Sequence, residues 1–99
     1  MTKGETLTLT ISGVRFHKEE RMALGEAYGV YDSHYVASFV EYPLGIADVD
    51  SLAARLHPDW ERKTEQRANQ LSTELRGRKV KVRVTAVFNG KDKFEAVLI

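Results

Sequence analysis

The chain of 99 residues contains no cysteine. That excludes disulfides, thiolate-bound zinc and a cysteine nucleophile, and makes an intracellular, cytoplasmic location the expectation. No apolar run approaches the roughly 20 residues needed to cross a bilayer, so no membrane partner is expected. The opening "MTKGETLTLT" lacks the apolar core of a secretory signal and reads as mature protein. The seven glycines are scattered singly, leaving no glycine-rich loop to cradle phosphates. Only three histidines are present, His17, His34 and His57, in three different elements and without the close spacing of a zinc pair. The serines lack a nucleophile-elbow context, and Glu19-Glu20 sits in a charged stretch where neither carboxyl would be desolvated. The expectation is a protein that is not an enzyme, with no metal and no cofactor.

What is present is the balance of a globular domain, 42% hydrophobic and 29% charged. The formal charge of +1 conceals a division. Residues 76–99 carry Arg76, Arg78, Lys79, Lys81, Arg83, Lys91 and Lys93 against Asp92 and Glu95 alone, a net +5, whereas residues 1–75 total −4. Charge segregated along a chain can become a patch in space.

The elements follow from periodicity. "TLTLTI" alternates, with Leu7, Leu9 and Ile11 on one face of a strand. At Ser12-Gly13 the phase shifts to Val14 and Phe16, which predicts a bulge or bend. "HKEER" reads as a charged break. "EAYGVYD" and "HYVASFVEY" read as the second and third strands, with a turn at Asp32-Ser33 and an end at Pro43. From Ile46 the spacing becomes helical through Val49, Leu52, Ala53 and Leu56. Pro58 breaks that helix and opens a second, "DWERKTEQRANQLSTELRGR", with a stripe of Trp60, Thr64, Ala68, Leu71 and Leu75 and a stop at Gly77. "KVKVRVTAVF" and "KFEAVLI" form a hairpin around Asn89-Gly90. The result is one domain, residues 1–99, of the β-rich α+β class. The expected form is a small OB-like five-stranded barrel in the order β-β-β-α-α-β-β, with a helical insert before the C-terminal hairpin. An SH3-like barrel with an inserted helical hairpin and an open sheet covered by helices are the competing architectures.

In that topology two ingredients of nucleic-acid binding converge: cations for phosphates and aromatics for bases. The cations are Arg76, Arg78, Lys79, Lys81, Arg83, Lys91 and Lys93; the aromatics are Tyr28, Tyr31, Tyr35 and Phe39 on the second and third strands. Lys18 and Arg21 would join from the loop between strands one and two. Single-stranded nucleic acid is the favoured partner. Against this stands the plainer reading, in which the lysine–valine ladder is only the wet side of a half-buried strand and the rings belong to the core.

The ordered set "GVRF", "LGE", "VYD", "VASFV" and "LG", followed by "SLAARL" and "VKVRVTAV", resembles the HIRAN domain pattern. The resemblance implies an OB-related barrel that binds DNA, in known cases single-stranded ends, with Phe16, Tyr31 and Asp32 at matching positions and the Tyr31-Asp32 pair facing the nucleic acid. The chain departs from the pattern in the short spacing between Gly25-Glu26 and Tyr31-Asp32 and in the long helical segment around Trp60. The rival from another class is a protein-interaction domain, such as a phage- or plasmid-type inhibitor that docks on a partner, or a homodimer. Trp60 would then be an interface anchor rather than a cap on the open end of the barrel.

Overall fold

The computed structural model describes residues 1–21, 30–88 and 92–99, the side chains of residues 19–21, 30 and 31 excepted. Its elements are β1 (Thr6–Arg21), β2 (Val30–Phe39), β3 (Gly45–Asp48), α1 (Asp50–Leu56), α2 (Glu65–Leu75), β4 (Lys79–Phe88) and β5 (Lys93–Leu98). The strands form one mixed sheet that closes into a ring in the order β1-β2-β3-β5-β4, with β3 and β5 the parallel pair. The result is a small β-rich α+β domain with two helices between β3 and β4. Among the described residues no helix is long and apolar enough to cross a membrane.

Alternation supplies the inner wall. Leu9 and Ile11 of β1, Tyr35, Ala37 and Phe39 of β2, Ala47 of β3, Val82 and Val84 of β4, and Phe94 and Ala96 of β5 all point inward and are buried. The phase change at Gly13 is a true irregularity, with the β1–β2 register shifting between Ile11 and Gly13. It releases the Val14 N–H from the ladder, and the Ser72 hydroxyl of α2 accepts it at 2.8 Å. The helix is seated there by Ala68, Leu71 and Leu75, and Gly77 (φ +86°) ends the turn that follows it, in a conformation that favours glycine.

Four expectations need correction. "HKEER" is not a break but the continuation of β1, paired through Arg21↔Val30, and Asp32-Ser33 lies inside β2 rather than at a turn. The part of the expected second strand before Val30 lies outside the described residues, as does Asn89-Gly90. The third strand is instead Gly45–Asp48, so Ile46 belongs to a strand and the first helix begins at Asp50. The second helix begins only at Glu65, capped by the Thr64 hydroxyl, which accepts from the Arg67 N–H; Trp60 lies in the connection before it. Trp60 is half-buried and packs on the core beside Tyr35, with ring centroids 6.3 Å apart.

One backbone position is held by close packing. Gly45 is buried against Phe94, and a Cβ added there would fall on the Phe94 ring, far inside contact distance. That ring cannot retreat, because it stacks on Phe39 (6.4 Å, 10°) and meets Tyr42 edge-on (5.6 Å, 76°). Gly45→Ala is expected to lower unfolding free energy by about 1–3 kcal/mol, the usual range for overpacking, and urea denaturation followed by tryptophan fluorescence measures it.

Candidate nucleic-acid interface

The outer face of β4 carries Lys79, Lys81 and Arg83, spaced by two residues and therefore about 6.6 Å apart along the strand. They stand outward because Val80, Val82 and Val84 take the alternate positions, the last two fully buried. Their cross-strand partners on β1 are Thr10, Thr8 and Thr6, and the β5 partner of Arg83 is Val97. No neighbouring carboxylate pairs with Lys81 or Arg83 among the described residues. One acid does reach the ladder's start. Glu41 accepts from the Thr10 N–H and hydroxyl, both at 2.8 Å. Those bonds, chiefly the one from the backbone amide, with help from the Lys79 charge, hold its carboxyl below the ordinary range.

Arg76 and Arg78 are exposed on the approach to the ladder. There Arg55 of α1 joins Arg78, Lys79 and Lys81 around a shallow cleft of about 280 Å³. Arg55 is a cation that sequence reasoning missed, since nothing local links α1 to β4. Lys93 stands exposed at the far end, opposite Phe88 in the β4–β5 register, with its ammonium 6.0 Å from the Phe88 ring centre. Lys91 lies outside the described residues.

The aromatic half of the expected site is largely overturned. Tyr35 and Phe39 are 2% and 1% exposed, so their rings have no face to offer a base. The reason is topological: β2 has neighbours on both sides, and its odd-numbered residues fill the ring's interior. Tyr35 meets Phe16 and Trp60 and accepts the Thr64 N–H at its hydroxyl; Phe39 stacks on Phe94. Tyr28 lies outside the described residues, and for Tyr31 only the backbone, in β2, is described. Asp32 is half-buried in β2.

Among the described residues the exposed ring is a different one, Phe88, at 39%. By strict alternation from Val82 and Val84 it would point inward. A register shift between Val84 and Ala86 turns the end of β4 over, and no residue there announces it. Phe88, Leu44 and Ile46 line a groove of about 220 Å³ that Arg15, Lys93 and Glu95 also line.

Among the described residues, His34 is the histidine that folding places in a cluster of acids. Its Nδ1 lies 2.9 Å from Asp48 Oδ2 and 2.9 Å from Asp50 Oδ2. The hydrogen bond to Asp50, with the charges of Asp48 and Asp50, raises its pKa above the usual histidine value against burial and the Lys63 charge. His57 plays a structural part. It bonds Glu74 at 2.7 Å and stacks flat on Trp60 at 3.8 Å, tying the end of α1 to α2. Compared with protein-family models, curated proteins and solved structures, the chain matches none.

Proposed function

We propose that this chain is a small non-catalytic domain that binds nucleic acid, with single strands favoured, and that its ring is an OB-type barrel of HIRAN-like kind. The observation that carries the reading is the ladder Lys79–Lys81–Arg83, whose cross-strand partners are threonines and a valine and which, among the described residues, meets one acid, Glu41, at its start beside Lys79. A strand kept merely soluble does as well with mixed charge, whereas a row of one sign flanked by uncharged side chains suits a phosphate backbone. The ring order, the helices between β3 and β4 and the parallel β3–β5 closure support the OB-type assignment. Phosphates follow Arg78, Lys79, Lys81 and Arg83, and Phe88 beside Lys93 supplies a stacking ring at the other end.

Fluorescence anisotropy of labelled single-stranded and duplex oligonucleotides, titrated at several salt concentrations, tests this. Four phosphate contacts predict a slope of about −2.8 in log affinity against log salt for a single strand. Phe88→Ala is expected to cost about 1–3 kcal/mol of binding, the range for one base–aromatic stack. Flat titrations sink the proposal. They would favour the second reading, a protein-docking domain, for which the specific observation is the apolar groove of Leu44, Ile46 and Phe88 with Leu44 62% exposed. Such a surface is nearly indifferent to salt.

A further inference from the structure

The cluster around His34 contains an imbalance. A single ring nitrogen, Nδ1, carries at most one hydrogen, yet two carboxylate oxygens lie 2.9 Å from it. Neither carboxylate is free to swing away. Asp50 Oδ1 accepts the Tyr35 N–H at 2.8 Å, and Asp48 Oδ1 accepts the Asp50 N–H at 2.8 Å. With their other oxygens pinned to backbone amides, both Oδ2 atoms stay aimed at the same point. The donors come from three elements, β2, β3 and the first residue of α1, and Asp48 is held in register opposite Val36.

We propose that His34, Asp48 and Asp50 bind one divalent first-row transition ion, of the class of Zn²⁺ or Mn²⁺. This goes beyond the nucleic-acid reading and does not depend on it. The three donor atoms lie within 4.8 Å of one another. In a tetrahedral site with bonds near 2.0–2.2 Å, donors stand about 3.4 Å apart, so each carboxylate oxygen would draw back from Nδ1 by about 0.5 Å to admit the ion. An ion in place of the shared hydrogen would satisfy all three lone pairs at once. The amide bonds to the outer oxygens are the kind of support that orients metal-binding carboxylates.

The donor set selects the class of ion. One imidazole with two carboxylates suits a borderline first-row cation, whereas Ca²⁺ calls for six to eight oxygens and Mg²⁺ retains most of its water. The side chains of His34, Asp48 and Asp50 are 39%, 45% and 25% exposed, which leaves coordination positions open to solvent. A concavity of about 300 Å³ beside them is lined also by His17 and Glu95. His17 is the direct cross-strand partner of His34, and it offers a second imidazole on the same face. The competitor is Lys63, whose ammonium is 3.5 Å from Asp50 Oδ2 at the end of a long, partly exposed side chain. A dication would displace it.

The test uses the full chain, stripped with a chelator, titrated with ZnCl₂ in a calorimeter and with CoCl₂ by visible absorption. One ion per chain is expected, with MgCl₂ silent at the same concentrations. His34→Ala and Asp48→Asn should each weaken Zn²⁺ binding by more than about tenfold, while Lys63→Met, which keeps every donor, should tighten it several-fold. Should His34→Ala fail to fold, Lys63→Met and the position of the ion remain decisive. Amide signals of Tyr35, Asp48 and Asp50 should broaden first when Mn²⁺ is added to labelled protein. Absence of stoichiometric binding, unchanged affinity in a folded His34→Ala, or broadening centred elsewhere would each overturn the site and leave an ion-pair knot of His34, two aspartates and Lys63.

Discussion

Lys81→Glu combined with Arg83→Glu is expected to lower affinity for a single-stranded oligonucleotide by at least about a hundredfold at low salt, with the thermal midpoint nearly unchanged. The two side chains stand outward on β4, and neither is paired with an acid among the described residues, so their replacement breaks no internal bond. Their cross-strand neighbours Thr8, Thr6 and Val97 accept a glutamate as readily as a cation. Binding suffers twice: two phosphate contacts disappear and two repulsions replace them. The salt slope should also become shallower by about 1.4, since each lost contact on a single strand removes about 0.7. Anisotropy titration beside a melting curve reads both halves of the expectation. An unaltered affinity would return the ladder to a solvated strand face and end the proposed function, whatever the metal experiment shows.

The second large effect concerns stability. Tyr35→Ala is expected to cost about 3–5 kcal/mol of unfolding free energy, as for other large aromatic truncations in cores. The ring is buried among Phe16, Trp60 and the inner face of the sheet, and its hydroxyl satisfies the Thr64 N–H just before α2. Urea denaturation measures the loss, and the m-value shows whether the native state stayed compact. Tyr35→Phe separates the two contributions. It keeps the ring and removes only the acceptor, for a loss of about 1 kcal/mol. Affinity for the oligonucleotide, measured where the Tyr35→Ala variant is still folded, should match the parent protein. A variant that kept its stability and lost binding would put the ring on the surface and contradict the fold.

Residues with many neighbours of their own kind were legible in the sequence. Leu7, Leu9 and Ile11 announce β1, Ala68, Leu71 and Leu75 announce α2, and Lys79–Phe88 with Lys93–Leu98 announce the closing hairpin. The bend at Gly13 and the stop at Gly77 were legible too, because glycine marks a backbone need that other residues meet poorly. What escaped is non-local or short. β3 has four residues, too few to establish alternation, and Ile46, Val49, Leu52 and Ala53 fit a helical spacing by coincidence. "HKEER" belongs to a stretch of the β1–β2 pair that, among the described residues, no third strand flanks, so nothing there selects apolar residues and the strand signal vanishes. Phe88 was hidden by a register shift, and the nest at His34 by the need to bring three elements together. The basic half of the candidate interface could be read from charge alone. Its aromatic half could not, because alternation assigns side chains to faces without saying which face is inside.

The parallel pairing of β3 with β5 has a bearing on how the chain reaches its native state. β5 follows every other strand in the chain, yet it alone joins β3 to β4. Until it arrives, the other four strands can form only an open sheet with bare hydrogen-bonding edges on β3 and β4. Closure brings Gly45 beside Phe94, partners separated by nearly half the chain, so the loop entropy is spent before the contact repays it. Folding should therefore be slow for a domain of this size. The interval before the last strand docks is when two such molecules, meeting edge to edge, would aggregate.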